Sequence, residues 1–231
     1  NALRSDPKSA FGGVVAFNRE ISEDLAKEIN KHFLELIIAP NFSSKALKVF
    51  SVKKNLRLLK IPNIPEKESS AKEVRQLNDG FLIQEKDLTN LSKNQLKIVT
   101  NKKPSEKQIK DLIFAFKVAK HVKSNAIVYA KNGSTIGIGA GQMSRVDATK
   151  IAVIKAEEAS KLACLKFSMT KNSVLASDAF FPFEDGIIEA AKAGVKSIIQ
   201  PGGSIRDPAV IDTANRLGIS MVFTGKRHFK H

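Results

Sequence analysis

Apolar and polar positions along the chain alternate with two periods, and the change of period marks the elements. Short β-branched or leucine-rich runs at residues 14–17, 34–38 and 56–59 read as strands. Between them, residues 22–32 and 43–52 carry helical spacing, the first opened by Ser22 with Glu23 and Asp24 in its first turn. The pattern fades over residues 62–104, a polar, lysine-rich stretch that predicts an irregular connection with short strand candidates at 80–83 and 98–100. It resumes at Ser105, a cap for a helix over 109–121 with Leu112, Ile113, Phe116 and Ala119 on one face. Helices are then expected over 145–163, 186–193 and 207–217, with strands at 173–175, 197–199 and 220–223.

The most informative stretch is 122–145. A branched run, 126–130, meets the turn pair Asn132-Gly133 and is followed by a second apolar run closed by glycines, the pattern of a β-hairpin. Polar groups gather at its open end: Ser124 and Asn125 before the first strand, Gln142, Ser144 and Arg145 after the second. Gly137, Gly139 and Gly141 would let backbone N–H groups approach a bound group, and Ser144 would cap the following helix. The spacing is neither the dinucleotide fingerprint, whose third glycine comes one position later, nor a Walker loop, since no Gly-Lys-Ser or Gly-Lys-Thr occurs. A second stretch, 176–186, places Ser177-Asp178 after a strand, then Phe180-Phe181-Pro182-Phe183, then Glu184-Asp185 at a helix start. Phenylalanines in a proline-stiffened loop read either as a plug over the core or as the wall of a pocket for a flat ring.

Composition narrows the class. At 231 residues and 42% apolar content the chain can bury a sizeable core. No apolar run approaches the roughly 18 residues of a membrane span, and the N-terminus, which lacks an initiator Met and a signal-peptide core, suggests a piece of a longer chain; a cytoplasmic protein without a membrane partner is expected. Cys164, alone, reads as a core residue on an apolar helix face, and one Cys with four scattered His predicts no metal site. The net charge of +15 invites a nucleic-acid reading. However, the lysines are spread along the chain, and with no Trp and one Tyr there is no stacking platform, so no nucleic-acid partner is expected.

Residues 9–59 and 177–223 parallel each other: Ser9-Ala10-Phe11-Gly12-Gly13 with a strand, and Ser177-Asp178-Ala179-Phe180, each followed by a helix, an apolar strand running into x-Pro (Ala39-Pro40, Gln200-Pro201), a helix and a strand. The parallel predicts an α/β fold with a duplicated lobe. The first copy has no counterpart of residues 102–163, which would lie upstream of residue 1.

Several blocks carry a closer resemblance: Asp6 to Gly13 (DPKSAFGG), Val122 to Ala126 (VKSNA), Ile138 to Arg145 (IGAGQMSR), Ser177 to Phe183 (SDAFFPF), Gln200 to Ser204 (QPGGS) and Arg227 to His231 (RHFKH). In order and spacing they resemble the C-terminal AICAR transformylase domain of bifunctional purine-biosynthesis proteins. The resemblance implies a three-layer αβα arrangement of duplicated cytidine-deaminase-like lobes with the first truncated: 1–61 as the second half of one lobe, 62–104 as the connection and 105–231 as the second lobe. It implies formyl transfer from 10-formyltetrahydrofolate, as co-substrate, to the amine of aminoimidazole carboxamide ribonucleotide, in a homodimer. By similarity Asn125 would orient the formyl group and amine, Phe180 and Phe181 would line the substrate, Arg227 would meet its phosphate, and Arg145, Pro182, Phe183 and Asp185 would meet the folate. Two positions depart from the pattern, Glu184 where an arginine is often found and Gly13 where an aspartate can stand. The family's Lys-His catalytic dipeptide would lie upstream of residue 1, so the 231 residues alone are expected to be inactive; Lys120-His121, at a helix end, does not match that motif. The alternatives are a basic, non-catalytic module for nucleotide or RNA, and a deaminase-like hydrolase, which the missing zinc ligands disfavour.

Overall fold

A computed structural model describes residues 2–63 and 72–230, which form two compact units: residues 7–88, and residues 89–230 together with 2–6. The second unit includes a single N-terminal turn, α1 (Ala2–Ser5).

In the unit of residues 7–88, β1 (Gly13–Ala16), α2 (Glu23–Ile29), β2 (Leu34–Ala39), α3 (Ser44–Phe50) and β3 (Arg57–Lys60) follow one another, and the strands pair in parallel in the order β1-β2-β3. Ser22 and Ser43 cap the helices by accepting hydrogen bonds from Leu25 N and Ala46 N, each cap satisfying one orphan amide of its first turn. Ile21, Ile29, Leu34, Ile37, Phe42 and Phe50 close a core between helices and sheet.

The segment expected to be irregular contains a hairpin, β4 (Lys72–Leu77) with β5 (Gly80–Glu85), turned at Asn78-Asp79 and in register Val74↔Ile83. Charged and amide side chains fill half of its positions, four of the six in β4, so no clean apolar alternation announces the pair; the turn sets the pairing. Val74, Phe81 and Ile83 are exposed along it. Residues 64–71 of the expected connection lie outside the described residues.

The larger unit is built on a six-stranded sheet. Past a 3-10 turn at Lys93–Gln95 come β6 (Lys97–Ile98), α4 (Glu106–Ala119), β7 (Ile127–Lys131), β8 (Ser134–Gly139), α5 (Arg145–Leu162), β9 (Val174–Ser177), α6 (Asp185–Lys192), β10 (Ser197–Gln200), α7 (Asp207–Arg216) and β11 (Ser220–Phe223). The order across the sheet is β6-β11-β10-β9-β7-β8. Strands β9, β10 and β11 are parallel, whereas β7 is antiparallel to both neighbours and β6 antiparallel to β11. Alternate residues of each strand enter opposite cores. Ile127, Tyr129, Leu175, Ile198 and Met221 pack with α5, α6 and α7, while Val128, Ala130, Val174, Ala176, Ile199 and Val222 pack on Leu112, Ala115, Phe116 and Ala119 of α4. The unit is therefore a three-layer αβα sandwich. Ser105 and Gln108 form a reciprocal capping box at the start of α4.

Two devices hold the β7–β8 hairpin. At its tip the buried carboxylate of Asp111, on α4, accepts the Asn132 and Gly133 amides at 2.9 and 2.7 Å. Along β8, Gly137 and Gly139 face α5 so closely that a Cβ there would lie 2.1 Å from the Ala152 oxygen and 1.9 Å from that of Ala148. These two glycines thus serve helix–strand contact rather than approach to a bound group. Cys164 is also not in the core. Helix α5 stops at Leu162, and Cys164 follows it, exposed, at φ 51°, in a C-terminal turn closed by Leu165 N donating to Ser160 O. No helix of the described residues is long and apolar enough to cross a membrane.

Candidate functional site

The open end of the hairpin, the end of β9 and the C-terminal tail meet at Asp178. Its side chain is fully buried, and both carboxylate oxygens are engaged. The Ser124 hydroxyl donates to Oδ2 at 2.6 Å and Arg145 Nη2 to Oδ1 at 2.8 Å. Arg145 also donates from Nε to the Ser177 hydroxyl (2.9 Å), which in turn donates to the Ala179 carbonyl. The Arg145–Asp178 ion pair is almost wholly shielded, at 10% and 1% side-chain exposure, so removing either partner would strand a buried charge. Arg145 can sit there because it opens α5, whose cap Ser144 accepts from Asp147 N.

The Asp178 backbone carbonyl and Ser124 anchor the tail. The His228 amide donates to the Asp178 carbonyl, and the Ser124 backbone N–H and side-chain oxygen pair with Lys230 O (2.9 Å) and Lys230 N (3.2 Å). His228 itself is buried, its ring 4.5 Å from that of Phe116, and Lys230 Nζ donates to His121 O. Just before these anchors Arg227 is exposed, its guanidinium 4.9 Å above the Phe229 ring. His231, the last residue of the resembling block, lies outside the described residues.

Asn125 joins the network on the other side. Its Nδ2 donates to the carbonyls of Gln142 (2.9 Å) and Met143 (3.1 Å), and its backbone N–H also reaches Gln142 O. Two carbonyl partners fix which end of the amide is nitrogen. Oδ1 is left as an acceptor facing away from them.

The Phe-rich loop divides its residues between the two roles that its composition allows. Phe181 is the plug: its ring is 1% exposed and lies on Gly186, and its backbone N–H donates to Oε1 of the buried Gln200. Phe183 is half exposed and Phe180 and Pro182 half buried, so this loop presents apolar surface outward. Asp185 opens α6, exposed, with its carboxylate accepting from Gly186 N. Of the expected site residues in this unit, Arg145 bonds the Asp178 carboxylate, the Arg227 tail is held at the Asp178 backbone carbonyl, Phe180 to Asp185 follow in the same segment, and Asn125 is tied to Gln142 and Met143 instead. Sequence reasoning quoted Asp178 and Ser124 inside motifs without giving either a role; an acid at a strand end, with a serine before it, was the available signal. A cavity of about 560 Å³ lies elsewhere, beside the hairpin tip, lined by Lys131, Asn132, Lys166, Phe167 and Lys171 among others. Among the described residues no group of His, Cys, Asp and Glu side chains is placed to hold a metal ion.

The family model for the AICARFT/IMPCHase bienzyme matches residues 1–155. The chain belongs to this family. Over its whole length it is 54% identical to the bifunctional purine biosynthesis protein PurH of Magnetococcus marinus, 53% to that of Rhodospirillum rubrum and 54% to that of Persephonella marina. It spans 43%, 44% and 43% of the length of these relatives.

Proposed function

We propose that this chain forms part of an AICAR transformylase, which moves the formyl group of 10-formyltetrahydrofolate to the amine of aminoimidazole carboxamide ribonucleotide in purine biosynthesis. The reading rests above all on one observation: around the buried Asp178, Arg145 and Ser124 bond its carboxylate and the His228 amide of the tail bonds its backbone carbonyl, while Asn125 follows Ser124 in the chain.

The chemistry sets three demands. The substrate amine is a poor nucleophile because its lone pair is delocalised, so it must be held against the formyl carbon, relieved of a proton on attack, and the oxyanion that forms must be stabilised. Asn125 meets the first. With Nδ2 committed to two carbonyls, Oδ1 accepts an N–H of the amine and turns its lone pair toward the formyl carbon. Arg227, exposed and planar, grips the ribonucleotide phosphate. Pro182 and Phe183 offer apolar surface to the folate ring and Asp185 an acceptor at its edge, with the Phe180 and Phe181 backbone lining the aminoimidazole. Arg145 serves the folate side with the guanidinium edge not used by Ser177 and Asp178.

The two units fit duplicated cytidine-deaminase-like lobes. Strands β1-β2-β3 with α2 and α3 repeat the order of β9-β10-β11 with α6 and α7, all in parallel register. Residues 1–61, 62–104 and 105–231 would then be half-lobe, connection and second lobe of a homodimeric, cytoplasmic enzyme. The test is formyl transfer, followed by release of tetrahydrofolate, with the 231 residues and with the chain extended upstream through the Lys-His segment of its relatives. Turnover is expected from the extended chain alone. Two folded proteins without turnover would refute the transformylase reading, and full activity of the short chain would refute the role given to the upstream dipeptide.

A further inference from the structure

We propose that Ser124 and Asp178 act as positioning residues, a clasp that holds the C-terminal tail in the geometry from which Arg227 reaches the ribonucleotide phosphate. The inference rests on the transformylase reading and extends it to two residues that touch no reacting atom. Arg227 is exposed and its tail has no secondary structure, so its location depends on anchors before it, where Gly225 N donates to Pro201 O, and after it, at His228 and Lys230. Immediately after Arg227, Asp178 accepts the His228 amide through its backbone carbonyl. Two residues further on, Ser124 makes two hydrogen bonds to Lys230 while its hydroxyl proton is given to Asp178 Oδ2.

The direction of that last bond matters. The carboxylate takes the hydroxyl proton, which leaves the lone pairs of Ser124 Oγ turned to the Lys230 N–H. One buried charge thus orients the hydroxyl toward the tail and, through its other oxygen, holds Arg145 at the start of α5. The residue after Ser124 is Asn125, so the hydroxyl that fixes the phosphate-binding tail adjoins the amide that receives the amine. Both ends of the ribonucleotide are thereby measured from one point, a burial of alignment in the scaffold that leaves less entropy to be lost on binding.

Two substitutions in the full-length protein test this: Ser124→Ala, which deletes the hydroxyl, and Ser124→Thr, which keeps it. The readouts are amide exchange at Lys230 and the kinetic constants for each substrate. Ser124→Ala is expected to speed exchange at Lys230 and to raise KM for the ribonucleotide about tenfold, the loss of one charge-assisted contact, with kcat and the KM for the formyl donor little changed. Ser124→Thr is expected to restore both. Unchanged exchange in Ser124→Ala, unchanged ribonucleotide KM despite faster exchange, or equal damage from both substitutions overturns the clasp while leaving the transformylase reading standing. A wild-type protein that neither binds nor turns over the ribonucleotide refutes that reading, and the inference with it.

Discussion

Replacing Gly139 by alanine adds one methyl group where β8 lies against α5. The new Cβ would sit 1.9 Å from the Ala148 oxygen and within 3 Å of the Ala148 carbonyl carbon and Cα, all helix backbone. Real Cβ atoms stay at least 3.0 Å from such atoms, so strand and helix must part by at least about 1.1 Å (3.0 − 1.9). No side-chain rotation relieves the contact. Overpacking of this kind costs about 1–3 kcal/mol, and the absence of a yielding partner argues for the upper end. For a unit of this size about 3 kcal/mol lowers Tm by roughly 6–12 °C. Because α5 begins at Arg145, the same displacement draws the guanidinium away from Ser177 and Asp178. Urea and thermal unfolding of the wild type, Gly139→Ala and the control Gly80→Ala provide the assay. An added Cβ at Gly80 meets nothing within 4 Å, and its stability is expected to stay within about 0.5 kcal/mol of wild type. If Gly139→Ala does too, the close approach of β8 and α5 is refuted.

Asp111→Asn places an N–H₂ group against one of two amides that now meet carboxylate oxygens; a loss of about 1.5–3 kcal/mol is expected, with faster amide exchange at Asn132 and Gly133 as the local readout. The Tyr129 hydroxyl is buried with no hydrogen-bond partner among the described residues, and burial, aided by the Glu189 charge, pushes its pKa above the usual phenol value of 10.0. The unfolded chain therefore loses this proton first, so its contribution to stability is intact below pH ~10 and falls above it by up to about 1.4 kcal/mol per pH unit. Tyr129→Phe should be neutral or stabilising near pH 7 and should flatten that alkaline decline; an unchanged alkaline slope would contradict the burial. Asn125→Ala in the full-length protein is expected to lower kcat by about 10²-fold with a smaller effect on ribonucleotide KM, and a change confined to KM would remove Asn125 from the reacting centre.

Most of the larger unit was legible because its signals are local. Ser105 and Ser144, like Ser22 in the other unit, each announce a helix that begins at the next residue, and Asn132-Gly133 announces the turn. What escaped was set by partners distant in sequence. Gly137 and Gly139 carry the same spacing whether a ligand or a helix lies opposite, and only the packing of α5 decides between them. Phe181 and Phe183 are alike in sequence, yet one ring lies on Gly186 and the other faces outward. Arg145 was legible as a site residue, but the Ser177 hydroxyl and the Asp178 carboxylate, 32 and 33 positions away, that each take one of its donors were not. Of the β4–β5 hairpin only the 80–83 run was legible, because period-2 patterning is read from apolar residues and in β4 charged and amide side chains hold four of the six paired positions.

The Asp111 carboxylate also bears on where this chain can be cut or lengthened. Asn-Gly turns are ordinarily the first place an engineer would insert a tag or open new termini, since exposed tips tolerate both. Here the two tip amides are held by one side chain of a helix in another layer, so the loop length is fixed by a partner some twenty residues upstream. An epitope inserted between Asn132 and Gly133 should yield insoluble protein, whereas the same insertion at Asn78-Asp79, between two exposed strands, should be carried by a folded chain. Homologues that vary in length would accordingly be expected to do so in the second turn and not in the first.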